Sequence, residues 1–444
     1  MSSFDTLFNP KSIILIGAAH TENKLGGVVL RNLLLFKGKV YPVNPKYSEL
    51  MGRKAYPSII DVPGPADLAI IIRPAQEAPG ILEECKGRVS FAIVVSSGFA
   101  EAGRQDLQDE LKRIGRETGI RLIGPNCMGF FNPHRKLDTM IISSKKLERP
   151  KKGNIAILSQ SGAIITCLFE TIRLANAGVS KAVGYGNAVD IDESDLYEYF
   201  TTDKDTDVVI SYIESLGDGR KFIEKARTLS EKKPLLILKS GKGAIGQAAA
   251  YSHTGRLAGR YEVFRSILRQ FGIGEAGNFD ELIDAAKALS YQRPAKGNRV
   301  LIVTDGGGAG VLAADECMRQ GLDVVKVPEQ TLKELRNAFP PFYALSNPVD
   351  LTAQVKDEDY LFVLEKLKDD YDGFIIIALA GVAGVTDKLA DLAKDFRSKA
   401  GKPLVVYTAN GSGAKRLVTL MEKARIPAYP SPERAVRGLK ALLR

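Results

Sequence analysis

Residues 155–166 read Ile-Ala-Ile-Leu-Ser-Gln-Ser-Gly-Ala-Ile-Ile-Thr. Four apolar residues run into two hydroxyls and a glycine, and a helical stretch begins there. A strand that enters a tight turn and opens a helix is the building unit of a parallel α/β sheet. Working outward, the same rhythm recurs. Upstream, residues 13–16, 68–72, 91–95 and 121–123 read as strands, with amphipathic segments at 26–36 and 104–118 between them. Downstream come 182–185, 208–213 and 235–238, and then 299–304, 373–379 and 403–407. Strands alternating with helices predict parallel sheets covered on both faces.

Two polar stretches interrupt the rhythm, at 143–153 (SSKKLERPKKG) and 291–298 (YQRPAKGN). Both read as linkers. The chain has 444 residues, and a prior of roughly 150 per domain gives about three. The fold class predicted is α/β, with three doubly wound parallel-sheet domains. A hydrophobic fraction of 45% supplies enough material for three cores. The N-terminus lacks a basic region followed by an apolar stretch, so no secretory leader is expected. No apolar run approaches the roughly 20 residues needed to cross a bilayer. Cys85, Cys127, Cys167 and Cys317 are far apart and form no C-x-x-C pair. They read as reduced thiols of a cytoplasmic protein. The net charge of +10 has no dense basic stripe behind it, only Lys145-Lys146 to Lys151-Lys152, so nucleic-acid binding is not expected. Attraction of small polyanions and a generally charged surface both remain open.

Residues 239–260 (KSGKGAIGQAAAYSHTGRLAGR) fit neither strand alternation nor a helical stripe. A long small-residue stretch after a strand lies at the carboxyl edge of a sheet, where such folds bind ligands. It contains His253, one of three histidines, inside Ser252-His-Thr-Gly255. A lone histidine is equally a structural residue; this setting raises a chemical role. Ser159, Ser161 and Gly162 stand at a helix start, where backbone N–H groups and the helix dipole favour an anion. Plain N-capping by serine explains them as well. Glu214 ends the strand at 208–213 and could hold a histidine tautomer, or simply cap. The third domain has two glycine turns, Asp305-Gly-Gly-Gly-Ala-Gly310 and Ala380-Gly-Val-Ala-Gly384. Either can cradle phosphate, and G-x-x-x-x-G-K-[ST] is absent. The first domain lacks G-x-G-x-x-G after Gly17, so a standard NAD site is unsupported. Instead Val43-Asn-Pro-Lys46, Arg73-Pro74-Ala75, Ser96-Ser-Gly98 and Gly124-Pro-Asn126 converge on one carboxyl edge. That edge suits an adenosine diphosphate moiety.

Leu15-Ile-Gly17, Val43-Asn-Pro-Lys46, Gly124-Pro-Asn-Cys-Met-Gly129, Ser159-Gln-Ser-Gly162, Glu214 and Ser252-His-Thr-Gly255 occur in one order along the chain. Together they resemble the nucleoside-diphosphate-forming acyl-CoA synthetases, the superfamily that includes succinyl-CoA synthetase. Asp305 to Gly310 and Asn347-Pro-Val-Asp350 look like the carboxyl domain of the partner subunit of succinyl-CoA synthetase, fused here behind the first two domains. That fused arrangement closely resembles the alpha subunit of archaeal-type ADP-forming acetyl-CoA synthetases.

The resemblance implies a Rossmann-like CoA-binding domain over 1–145, a succinyl-CoA-synthetase-like domain over 150–290 carrying a phosphohistidine loop, and a third, ligase-CoA type domain over 297–444. It implies that His253 is phosphorylated and that Glu214 holds its ring. Ser159, Ser161, Gly162, Gly307 and Gly308 would bind phosphate. Gly17, Lys46, Arg73, Pro74, Ser96, Gly98 and Asn126 would line the CoA site. It implies no metal ligand on this chain. ADP, ATP and Mg²⁺ would sit mainly on a separate ATP-grasp beta subunit, in an α2β2 heterotetramer with no membrane or nucleic-acid partner. The reaction implied interconverts acyl-CoA, ADP and phosphate with acid, ATP and CoA. A non-enzymatic CoA sensor, and a same-family ligase for succinyl or aryl-acyl groups, are the rival readings. An NAD-dependent oxidoreductase is argued against by the missing glycine fingerprint.

Overall fold

Runs of Val, Ile and Leu with no interrupting charge form strands at the expected places, because residues buried on both faces of a sheet need no polar alternation. The structure, a computed structural model, describes residues 3–248, 260–409, 411 and 413–443. It divides into two units, residues 1–279 and residues 280–444.

The first unit holds two sheets. One is formed by β1 (Ser12–Ile16), β2 (Lys39–Val43), β5 (Leu68–Ile71), β6 (Phe91–Val94) and β7 (Arg121–Ile123), with a small hairpin, β3 (Glu49–Leu50) and β4 (Arg53–Lys54), beside it. Its order is β2-β1-β5-β6-β7 and every pairing is parallel. The other contains β8 (Gly129–Asn132), β9 (Leu137–Asp138), β10 (Lys152–Ser159), β11 (Val179–Gly184), β12 (Val208–Ile213), β13 (Leu235–Lys239) and β14 (Gly274–Ala276). Its order is β14-β13-β12-β10-β11-β8-β9. Five of these strands are parallel, but β8 runs antiparallel to β11, and β9 antiparallel to β8. The second sheet is therefore mixed, not purely parallel. Its antiparallel edge is built by residues preceding the 143–153 linker.

A shared core explains that loan of strands. Phe130 on β8 meets Phe8 at 5.4 Å, and Phe8 stacks on Tyr199 at 4.5 Å. Phe8, Phe130, Tyr199 and Phe200 are all buried in one apolar cluster with Leu15 and Leu158. The chain between the sheets is fixed by its backbone: Asn187 N donates to Pro125 O at 3.0 Å, and Val189 N to Gly124 O at 3.1 Å.

The second unit carries β15 (Val300–Thr304), β16 (Val349–Asp350), β17 (Gly373–Ile377), β18 (Leu404–Tyr407) and β19 (Ala428–Tyr429), ordered β16-β15-β17-β18-β19 and all parallel. The parallel strands of all three sheets thus follow one plan. The first strand in the chain is flanked by the second on one side and the third on the other. The chain reverses direction across the sheet beside that first strand, and ligands of doubly wound folds bind in the crevice at such a reversal. The three crevices lie between β1 and β5, between β10 and β12, and between β15 and β17.

Cys85, Cys127 and Cys317 are buried, while Cys167 is exposed. Burial pushes the first three thiols up to about 12, which makes them inert packing groups. Among the described residues no helix is long and apolar enough to cross a membrane.

Candidate functional site

The crevice of the first sheet is closed by glycine. Gly17 follows β1 with φ +85°, and a Cβ there would lie 2.2 Å from the Ile72 carbonyl oxygen. The helix Leu25–Asn32 then presses back on the turn, so that a Cβ on Gly26 would sit 1.9 Å from Gly17 O. Two glycines nine residues apart thus give the tight turn and close helix approach that a dinucleotide fingerprint gives at shorter spacing. Asn44 braces the edge. Its Nδ2 donates to Ala18 O at 2.7 Å, and its Oδ1 accepts from Lys46 N at 2.9 Å.

A cavity of about 660 Å³ lies on this crevice, lined by Gly17, Asn44, Lys46 and Arg73 among others. A second, of about 520 Å³, is lined by Arg73, Pro74, Ser96, Asn126, Gln160, Ser161 and Gly162. The two share Leu25, Ile72 and Arg73. They form one groove from Lys46 on the first sheet to the start of the helix Gly162–Leu174 on the second. Arg73 is paired with Glu77 at 2.7 Å, both side chains nearly half exposed. Such a surface pair contributes about 0–1 kcal/mol and yields readily to an anionic ligand. Ser96 Oγ donates to the Arg73 carbonyl. Asn126 takes φ +54° where the two sheets meet.

Of the residues expected at the CoA end, Gly17, Lys46, Arg73, Pro74, Ser96 and Asn126 therefore line this groove. Gly98 does not; its amide is turned to Glu101 Oε1 at 2.7 Å. At the other end Ser161 is the N-cap of the helix Gly162–Leu174. Its Oγ accepts from Ile164 N at 3.5 Å, a long bond that leaves the hydroxyl weakly committed. Ser159 is fully buried and donates to Ser161 O at 2.7 Å, so it shapes the turn from behind.

Gln160 joins this turn to Glu214 across the second crevice. Its Oε1 accepts from Glu214 N at 2.6 Å and Ser215 N at 3.0 Å, and its Nε2 donates to Ser215 O at 2.7 Å. Lys239 reaches Glu214 O from the other side at 2.6 Å. Burial lowers its pKa to about 8; the Glu214 carboxylate opposes the shift and Lys242 adds to it. Glu214 itself is 6% exposed. His253 lies outside the described residues.

Gly307 and Gly308 begin the helix Gly307–Arg319 of the second unit, N-capped by Gly306 without a side-chain bond. Asp305 bridges that unit's crevice, its Oδ2 accepting from Leu379 N at 2.7 Å. The Asp350 carboxylate lies against Gly307, where a Cβ would be 2.5 Å from its Oδ2. The sequence reading did not single out Gln160, Lys239, Asn44 or Gly26. Gln160 stands between the two motif serines and Lys239 where an apolar strand enters the glycine-rich stretch, but only the strand order brings either beside Glu214.

A larger cavity of about 1060 Å³ opens elsewhere in the first unit, beside Arg116, Arg121, Asp190 and Lys221. No expected site residue lines it. Its charges are largely spent on each other, Arg121 on Asp190 at 2.9 Å and Lys221 on Asp192 at 3.1 Å. No group of three or more potential metal ligands occurs among the described residues.

Three family models match in succession: a CoA binding domain over 11–133, a succinyl-CoA ligase like flavodoxin domain over 152–289, and a ligase-CoA domain over 300–442. The chain is 39% identical to the acetate–CoA ligase [ADP-forming] II subunit alpha of Pyrococcus furiosus, across 99% of this chain and 97% of that one. It is 38% identical to the acetate–CoA ligase [ADP-forming] of Methanocaldococcus jannaschii, where it spans 62% of the relative's length. Among solved structures it is similar to a dinucleotide forming acetyl-coenzyme A synthetase 1 from Ca. Korarchaeum cryptofilum in complex with phosphate and ADP. That likeness has a TM-score of 0.90 at 36% identity, and covers 100% of this chain and 96% of that one. The chain belongs to the family of ADP-forming acetate–CoA ligases and follows the pattern of their separate alpha subunits.

Proposed function

We propose that this chain is the alpha subunit of an ADP-forming acetyl- or acyl-CoA synthetase. It would bind the CoA thioester and carry a phosphoryl group on His253. The observation that carries this reading is the single groove from Gly17, Lys46 and Arg73 to Ser161 and Gly162. Its length joins a site for a nucleotide-bearing thiol to an anion site at a helix N-terminus.

The chemistry runs in three transfers. Phosphate attacks the thioester carbonyl, the C–S bond breaks, and CoA leaves as the thiol while an acyl phosphate forms. His253 attacks the phosphorus, the P–O bond breaks, and the free acid leaves. ADP then takes the phosphoryl group from the ring nitrogen and restores neutral His253. In this scheme Ser161 and the Gly162 amide stabilise charge on the phosphoryl oxygens. Gly307 and Gly308 supply a second helix N-terminus of the same kind. Glu214 accepts a hydrogen bond from the ring and fixes its tautomer. The three family matches support domains at 1–145, 150–290 and 297–444, with β8 and β9 of the first lent to the sheet of the second.

Relatives named as alpha subunits imply a beta partner. We assign to it the ATP-grasp domain, Mg²⁺ and most nucleotide contacts, in an α2β2 assembly in the cytoplasm. The test is ATP formation from acetyl-CoA, ADP and phosphate by the chain with that partner. His253→Ala should lower the rate by more than about 10³-fold while CoA affinity is kept. Turnover by the variant at a rate comparable to the natural chain would sink the scheme.

A further inference from the structure

We propose that Gln160 and Lys239 are positioning residues that clamp the Glu214 peptide from both sides and thereby aim the Glu214 carboxylate. The proposal rests on the reading of Glu214 as the group that holds the phosphorylated ring, and goes beyond it by naming what holds Glu214.

The sheet order creates the clamp. β12, which ends one residue before Glu214, lies between β10 and β13. Gln160 is the first residue after β10, and Lys239 is the last of β13. Three residues distant in sequence are thus neighbours along one carboxyl edge. Gln160 Oε1 takes the Glu214 amide at 2.6 Å, and Lys239 Nζ takes its carbonyl oxygen at 2.6 Å. Both polar atoms of the residue's backbone are then spoken for by side chains. Each side chain is anchored in turn. Gln160 Nε2 donates to Ser215 O at 2.7 Å, and Lys239 Nζ also donates to Ser240 O at 2.5 Å.

Burial makes the arrangement specific. Lys239 is only 3% exposed, and its ammonium lies 5.9 Å over the Phe264 ring. An ammonium removed from water and held by carbonyl oxygens is costly unless its charge is used. A leucine or methionine would fill the space without that cost, but it would remove the Lys239 bond to Glu214 O. A charge retained here suits a site that handles a phosphoryl dianion. The Gln160 clamp also lines the groove itself, so it couples the Ser161 turn to Glu214.

The experiment uses the full chain with its ATP-grasp partner, acetyl-CoA and radiolabelled phosphate. It follows the initial rate of acid-labile label and, separately, CoA affinity. Gln160→Ala and Lys239→Met should each slow labelling by about 10²-fold, the cost of a catalytic group misplaced by about 1 Å. CoA affinity should stay within about twofold, because neither side chain lines the cavity at Gly17 and Lys46 and the bonds removed are those to the Glu214 peptide. Lys239→Arg keeps the donor and charge and should recover most of the rate; Gln160→Glu keeps the two accepted bonds but sets a carboxylate against Ser215 O and the anion site, so it should recover only part of it. Labelling at the natural rate in the two disruptive variants would overturn the clamp. So would a fall in labelling matched by an equal fall in CoA affinity, the mark of a merely structural role. If Lys239→Met does not fold, Gln160→Ala decides by the same criteria. No label on the natural chain would remove the phosphohistidine reading and this proposal together, which separates that failure from failure of the clamp alone.

Discussion

Gly17 illustrates how a single atom decides the groove. Its φ of +85° is one that other residues adopt at a cost of about 1–3 kcal/mol. A Cβ would also meet the Ile72 carbonyl at 2.2 Å, a backbone atom that cannot rotate aside. Gly17→Ala should therefore weaken CoA binding by more than about tenfold in a calorimetric titration; unchanged affinity would contradict this placement of the site. Lys239 makes a prediction in pH. Glu214 at the end of β12 and Lys242 beyond β13 are the charged groups acting on it, and burial is the dominant influence that lowers its pKa to about 8. A lowered lysine pKa means that the ammonium is lost as pH rises through that value. Phosphoryl transfer should fall on the alkaline side with a midpoint near 8, and Lys239→Arg should carry the rate to higher pH. A flat profile from pH 7 to about pH 9 would contradict it. Lys46, Arg73 and Asn126 were legible because strand ends of a parallel sheet converge. Gln160 and Lys239 were not, because only the order of strands shows that they are neighbours of Glu214.

At the scale of elements, the helix Gly162–Leu174 has two explanations in the sequence, a capped terminus and an anion site, and they separate by magnitude. The Ser161 cap bond is 3.5 Å long, so Ser161→Ala should cost only about 0.5 kcal/mol of stability, the low end for a cap. The anion-site reading demands more than about a tenfold loss of phosphate-dependent labelling from the same variant. Loss of stability without loss of labelling would leave capping alone. The strands themselves were easily read, since β5, β6 and β17 are apolar and buried throughout. The antiparallel edge was not. β8 and β9 are short, and they precede the linker that marks a boundary in the sequence. Their destination is set by burial of Phe130 against Phe8 and Tyr199, a contact between distant parts of the chain.

For the whole molecule, one strand order recurs in three sheets, and in each a particular contact bridges the crevice. Gly17 presses on Ile72, Gln160 accepts from Glu214, and Asp305 accepts from Leu379. The rhythm of strands and helices announced three such sheets, and the glycine turns marked two of the crevices. The contribution of each crevice to one reaction was not readable from periodicity; the order of motifs and the family likeness supplied it. The most direct test of the central claim is to give the chain acetyl-CoA and radiolabelled phosphate, with and without an ATP-grasp partner, and to map the label. The account predicts acid-labile, base-stable label on His253 that is discharged to ADP only when the partner is present. A chain that binds CoA but acquires no label on His253 under either condition would contradict it.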